Sequence, residues 1–214
     1  MDYNIIMTTK QDLINNWKKN YNFSPRVLAA FEKVPREEFV LPGHKIMAYE
    51  DVALPYLCGQ TISQPSTVMI MTEALEVRAG HTVLEIGTGT GYQSAILSQL
   101  VGKKGKIISL EIIPELVNAA QKNLQKSKIN NVKVILSNGI NGYAKYAPYD
   151  RIIVTAGAQD VPEILIDQLK VNGIMLIPVG PCNTQQMLKI VKLKNGNLDI
   201  KELGDFIFVK MRKK

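Results

Sequence analysis

The residues with the clearest chemical potential lie at 82–95, TVLEIGTGTGYQSA, where an apolar run gives way to three glycines and then to a polar, helix-capable segment. Glycines in such a place let backbone N–H groups approach a ligand and let the chain turn sharply off a strand. Gly87 is expected to permit the turn, Gly89 the approach of the ligand, and Gly91 the close packing of the next helix. A dinucleotide loop has the spacing Gly-x-Gly-x-x-Gly. Here the third glycine comes one residue early, which favours S-adenosylmethionine over a nicotinamide dinucleotide. Two acids supply complementary charge. Glu85 precedes the loop, near the expected position of the methionine ammonium, and Glu111 ends the next apolar run, where a carboxylate can accept from both ribose hydroxyls. Thr88 within the loop and Ile112 beside Glu111 belong to the same expected cofactor set.

Such a loop needs a sheet to hold it. From Thr82 onward, short apolar runs alternate with longer amphipathic stretches: TVLEI, GYQSAILSQLV, GKIISLE, IPELVNAAQKNLQKS, NVKVILS, YDRIIVTA, VPEILIDQLK and GIMLIPVG. Strand and helix in alternation predict parallel strands joined by right-handed crossovers, an α/β doubly wound, Rossmann-like sheet with helices on both faces. The end differs in character. MLKIVKLKNGNLDIKELGDFIFVKM places two strand-like runs around an Asn-Gly turn and predicts antiparallel strands at the C-terminal edge. Residues 1–80 form a second region, a small N-terminal helical and loop cap, with the core in 81–214. TKQDLINNWKKN and SPRVLAAFEKV read as two short helices, the second capped by Ser24 with Pro25 at its first position. Residues 35–65, punctuated by Pro35, Pro42, Pro55 and Pro65, carry too little periodicity for a regular element and read as a long ordered loop that binds substrate.

Composition sets the frame. A chain of 214 residues, 46% hydrophobic, builds one full-sized core with a small appendage. Its net charge of +7 is mostly lysine spread along the chain, with one cluster, KMRKK, at the end, and reads as a solvated surface. Cys58 and Cys182 fall in no metal-binding spacing, so no metal site is expected and both thiols are expected to be free. No apolar run approaches the ~20 residues of a membrane span, and MDYNIIMTTK lacks the signature of a signal peptide. A soluble, cytoplasmic protein is the expectation.

Beyond the loop, the chain resembles the protein-L-isoaspartate O-methyltransferases over nearly its whole length. RVLAAFEKVPREEFV resembles their N-terminal segment, AYEDVALP and GQTISQP their substrate-binding loop, VLEIGTGTGYQ their cofactor loop, and APYDRIIVTAGAQDVPEILIDQLKVNGIMLIPVG the segment that follows. The resemblance implies a class I S-adenosylmethionine-dependent methyltransferase that yields S-adenosylhomocysteine and methylates the free carboxylate of L-isoaspartyl, and of D-aspartyl, residues. Its partners would be isoaspartyl peptides and damaged proteins, with neither nucleic acid nor membrane, and the ester would close to a succinimide as a step in repair. It implies that Ser63 contacts both cofactor and substrate near the transferred methyl, that Thr61 shapes the pocket, and that Asp51 lies in the peptide-binding loop. Where the family has Gly-Asp-Gly against the adenine amino group, this chain has Ser137, Asn138 and Gly139; where the family ends in Val-Pro-Leu, it has Val209, Lys210 and Met211.

The absent residues fit the same chemistry. A carboxylate with a pKa near ~4 is already the nucleophile at neutral pH, so no general base is required. The two histidines, His44 and His81, are read outside the chemistry. Two rivals share the fold. A nucleic-acid methyltransferase is favoured by the pI of 9.3, but VTAGAQ stands where enzymes acting on exocyclic base nitrogens resemble one another in an Asn/Asp-Pro-Pro-aromatic motif. A non-catalytic S-adenosylmethionine-binding protein is encouraged only by the altered FVKM end.

Overall fold

The protein is described from a computed structural model covering residues 8–212. Helix α1 (Lys10–Asn20) starts at a capping box formed by Thr9 and Asp12. Helix α2 (Pro25–Lys33) starts after Ser24, whose side chain accepts the Val27 N–H, with Pro25 at the first helical position as expected. Their apolar faces meet at the fully buried Trp17, which packs edge-on against Phe31 with ring centroids 4.6 Å apart. The Trp17 indole N–H donates to Ser66 Oγ at 2.8 Å, so this large ring leaves no polar atom unpaired.

The proline-punctuated segment is an ordered path of three-residue and six-residue 3₁₀ turns interrupted by a minimal antiparallel pair, β1 (Leu54–Pro55) and β2 (Thr61–Ile62). Beyond it lies a helix the sequence pattern did not reveal, α3 (Pro65–Ala74). Val68, Met69, Met71 and Thr72 are all buried, so α3 is enclosed on several sides and shows no polar–apolar alternation to detect. Both its ends are held from outside. Asp51 accepts the Ser66 N–H at 2.8 Å at the start, and Arg151 donates to the carbonyls of Leu75 (2.7 Å) and Glu76 at the finish.

The sheet follows as β3 (Thr82–Ile86), α4 (Tyr92–Val101), β4 (Lys106–Glu111), α5 (Pro114–Lys126), β5 (Val132–Leu136), β6 (Tyr149–Val154), α6 (Glu163–Asp167), β7 (Leu169–Val179), β8 (Gln185–Lys192) and β9 (Leu198–Phe206). Its order is β5-β4-β3-β6-β7-β8-β9, parallel from β5 to β7 and antiparallel through β8 and β9. The chain thus winds outward from β3 in one direction and from β6 in the other, and the crevice between those two strands is where such sheets bind ligands. One apolar layer joins α1 to α4 and Leu124 of α5 to Val83, Ile107 and Ile153; the other joins Leu84, Ile108 and Ile152 to Leu165 of α6. Helices therefore cover both faces, as the pattern required. Helix α6 is shorter than VPEILIDQLK suggests, because Leu169 already pairs with Tyr149 as the first residue of β7. The Asn195–Gly196 turn joins β8 to β9 as expected, Gly196 at φ +86°. Among the described residues no helix is long and apolar enough to cross a membrane.

Candidate active site

A cavity of about 1030 Å³ opens at the carboxyl ends of β3, β4 and β6. That is at the top of the roughly 300–1,000 Å³ usual for small-molecule sites, with room for a nucleoside cofactor beside part of a second molecule. Three walls meet there: the glycine loop after β3 with the turns after β4 and β5, the Gln60–Gln64 stretch leading into α3, and the chain after β9.

On the first wall the glycines have separate causes. Gly87 has φ +95°, and a Cβ there would stand 2.6 Å from Thr155 Oγ1, which itself donates to the Ile86 carbonyl at 3.0 Å across the β3–β6 crevice. Gly91 caps α4 in the left-handed region (φ +86°), with Ala120 and Leu124 of α5 at 3.4 Å from the position of a Cβ. Close packing at Gly91 is therefore against α5 rather than α4. At Gly89 the space beside the backbone is open.

Glu111 joins the loop to the end of β4. Its Oε2 accepts the Gly89 N–H at 2.9 Å, and its Oε1 accepts those of Ile112 (2.8 Å) and Ile113 (3.1 Å). A carboxylate has about four acceptor sites. Glu111 thus fixes both turns from within and still faces the cavity, as do Gly87, Thr88, Ile112, Asn138 and Gly139. The Asn138 Oδ1 accepts the Ile140 N–H at 3.1 Å, closing a short turn. Gly139 lies so close over β3 that a Cβ would meet Ile86 Cγ2 at 2.3 Å.

Glu85 is placed differently from the expectation. Alternation along β3 sends Leu84 and Ile86 to one face and Val83 and Glu85 to the other, so the Glu85 carboxylate points under the loop and does not line the cavity. It is fully buried between Ser94 of α4 and Ser109 of β4, accepting from both, Ser109 at 2.6 Å. Thr88 Oγ1 lies 2.6 Å from Ser109 Oγ, so a chain of hydroxyls leads from Glu85 to the loop. Glu85 Oε1 has no partner among the described residues. Burial pushes this carboxyl up to about 7, the serines counter the rise, and the charge of Glu111 adds to it.

The second wall carries Thr61 and Ser63, both facing the cavity. Asp51 does not line it: both its oxygens are spent on Ser66, one on the backbone N–H and one on the hydroxyl, so it holds the start of α3 from behind. A helix begins with unpaired N–H groups, and Asp51 satisfies one of them. Sequence reasoning missed the residue that anchors this wall, Arg36. It is fully buried, donates from Nε to the Ala48 carbonyl (2.8 Å) and from Nη2 to the Ser63 carbonyl (2.7 Å), and sits 4.8 Å over the ring of Tyr92. A lone Arg in PREEF carries no periodic signal that could mark it. Tyr92 and Thr155 are further lining residues not anticipated, whereas Val209, Lys210 and Met211, which stand where the family ends in Val-Pro-Leu, do line the cavity. Neither His44, His81, Cys58 nor Cys182 lines the cavity, and both thiols are free and exposed.

The first wall suits an S-adenosyl ligand: backbone N–H groups and open space at Gly89, a carboxylate at the end of β4, and polar atoms at 137–139. The model of the family described as Protein-L-isoaspartate(D-aspartate) O-methyltransferase (PCMT) matches residues 8–214. Protein-L-isoaspartate O-methyltransferase 2 of Archaeoglobus fulgidus is 45% identical over 212 residues, covering 99% of this chain and 95% of that protein. A solved protein-L-isoaspartate O-methyltransferase superposes with a TM-score of 0.86 at 32% identity, covering 96% of this chain and 66% of that longer one. A Plasmodium falciparum protein of the same description, solved in complex with S-adenosyl-L-homocysteine, gives a TM-score of 0.85 at 26% identity and covers 97% of this chain and all 100% of that one. Matched along its length in sequence and in fold, the chain belongs to the protein-L-isoaspartate(D-aspartate) O-methyltransferase family.

Proposed function

We propose that this protein transfers a methyl group from S-adenosylmethionine to the free carboxylate of L-isoaspartyl, and of D-aspartyl, residues in damaged proteins. The observation that carries the reading is one cavity walled on one side by the glycine loop and Glu111 and on the other by Thr61 and Ser63, in a chain matched by the family throughout. When bound, the cofactor supplies an electrophilic methyl group on a positively charged sulfur.

The protein's own work is placement. Glu111, the loop at 87–90 and residues 137–139 hold the nucleoside end, while Thr61 and Ser63 face the acceptor and Gly91 serves the packing of α5 behind the loop. The acceptor carboxylate is anionic at neutral pH, and the site offers neither His nor Cys to activate it. Rate then comes from alignment and from exclusion of water, which would compete for the methyl group. Hydroxyls at Thr61 and Ser63 can donate to one acceptor oxygen and leave the other free to attack. The ester formed loses methanol when the next backbone nitrogen attacks it, and hydrolysis of the resulting succinimide returns part of the chain to normal aspartate.

The test is incubation with methyl-labelled S-adenosylmethionine and a pair of peptides differing only in an isoaspartyl or aspartyl linkage. Label in the isoaspartyl peptide alone, followed by loss of methanol and a succinimide mass, is expected. Equal labelling of the pair, or none, contradicts the assignment.

A further inference from the structure

The chain after β9 forms the third wall of the cavity. Gly157 binds it twice, donating to the Val209 carbonyl at 2.9 Å and accepting from the Met211 N–H at 2.8 Å, while Gln185 Oε1 accepts the Phe208 N–H at 2.7 Å. These bonds fix the backbone on both sides of Lys210. Lys210 and Arg212 both line the cavity and both are exposed. Among the described residues neither has a carboxylate within salt-bridge distance. The acids that line the same cavity are Glu111, committed to three backbone N–H groups, and Asp205, to which the Gln186 amide donates at 2.8 Å when its nitrogen faces that way. Among the described residues Lys210 and Arg212 therefore line the cavity with no carboxylate in ion-pair contact, while Asp205 and Glu111 line it elsewhere on neutral donors.

We propose that Lys210 and Arg212 form a cationic rim that selects isoaspartyl segments carrying further acidic residues next to the damaged one, a deepening that rests on the methyltransferase reading above. The chemistry of the step gives the rim a direction. An O–C bond forms to the methyl carbon as the C–S bond breaks with its electron pair kept by sulfur, so the acceptor changes from an anion to a neutral ester. The rim attracts the substrate through that charge and through any flanking carboxylates, and it loses one of those attractions when the product forms. Because both side chains are exposed, each attraction is modest and screened by salt. Its effect falls on capture, hence on kcat/KM, more than on turnover.

The experiment uses the full chain and three isoaspartyl peptides of equal length, in which the two residues on either side of the isoaspartate are acidic, their neutral amides, or lysine. At low ionic strength the wild-type kcat/KM is expected to be roughly 3- to 20-fold higher for the acidic than for the neutral peptide, with the lysine peptide poorest, and the ratio to fall toward one in about 0.5 M salt. In the double variant Lys210→Glu, Arg212→Glu the ratio is expected to drop below one, whereas Lys210→Arg retains it. Each ratio is taken within one protein, so a general loss of activity cancels. A wild-type ratio of one at low salt, or a preference that survives the charge reversal, overturns the rim while leaving the methyltransferase assignment intact. Failure of the wild type to methylate even the neutral isoaspartyl peptide overturns that assignment, and the rim with it.

Discussion

The Arg36 guanidinium donates to the backbone carbonyl of Ser63 at 2.7 Å, so the conformation of the acceptor wall is set from the N-terminal cap rather than from the sheet. No carboxylate pairs with this fully buried cation within 4 Å among the described residues; two carbonyls and the face of Tyr92 take that place.

Arg36→Met removes both donors and leaves the buried Ala48 carbonyl and the half-buried Ser63 carbonyl without their partner, for a loss of roughly 2–5 kcal/mol of stability in denaturant unfolding. Arg36→Lys keeps the charge but not the planar fork. At a temperature where Arg36→Lys is folded, its kcat with an isoaspartyl peptide is expected to fall more than about tenfold while cofactor affinity changes less than about threefold, since the Ser63 wall is displaced and the glycine loop is not. Wild-type turnover in that variant would falsify the positioning role.

Glu111 bonds both to the loop and to the turn after β4, so Glu111→Ala is expected to weaken S-adenosylmethionine binding by roughly 1.5–3 kcal/mol, the range for hydrogen bonds to a charged group. It should also lower the melting temperature, because the N–H groups of Gly89, Ile112 and Ile113 lose their acceptor together. Calorimetry on the folded variant decides the first point and thermal unfolding without ligand the second; unchanged affinity contradicts the assignment.

Asn138 already spends one lone pair of its oxygen on the Ile140 N–H. Asn138→Asp keeps that bond and offers a charged acceptor to the adenine amino group, a gain of about 1 kcal/mol, or roughly fivefold tighter binding. Asn138→Leu loses both interactions and is expected to bind more weakly and to loosen the turn. Titration of the three proteins checks this, with mass spectrometry to confirm that the Asn138–Gly139 pair has not deamidated. Equal affinities would remove residue 138 from the site.

Glu85 makes stability depend on pH. Its folded pKa of about 7 lies above the ordinary carboxylate value, so between pH ~4.5 and ~7 the folded protein holds a proton that the unfolded chain has released. Stability contributed by this group is present at low pH and is lost as pH rises through that window. Glu85→Gln, which is neutral throughout, is expected to gain up to about 3 kcal/mol over wild type on going from pH 5 to pH 8 in urea unfolding. Parallel pH profiles for the two proteins would show that Glu85 does not carry the proton.

The sequence by itself determined whatever depends on near neighbours in the chain. The early third glycine, the alternation of apolar runs from Thr82, the Ser24–Pro25 helix start and the Asn195–Gly196 hairpin are local patterns, each with one physical reading, and together they gave the sheet, its antiparallel edge and the place of the cofactor loop. Tertiary structure decided what depends on which face a residue meets. Glu85 and Glu111 look equivalent as acids at the ends of apolar runs, yet the pleat turns one beneath the loop and leaves the other facing the cavity. Asp51, close in sequence to the acceptor loop, is drawn to the unpaired N–H of α3, a helix concealed because it is buried on several sides. Arg36 reaches Ser63 across 27 residues and Gly157 holds Val209 and Met211 across more than fifty, and no local pattern can encode such bonds, because they exist only once the layers have packed.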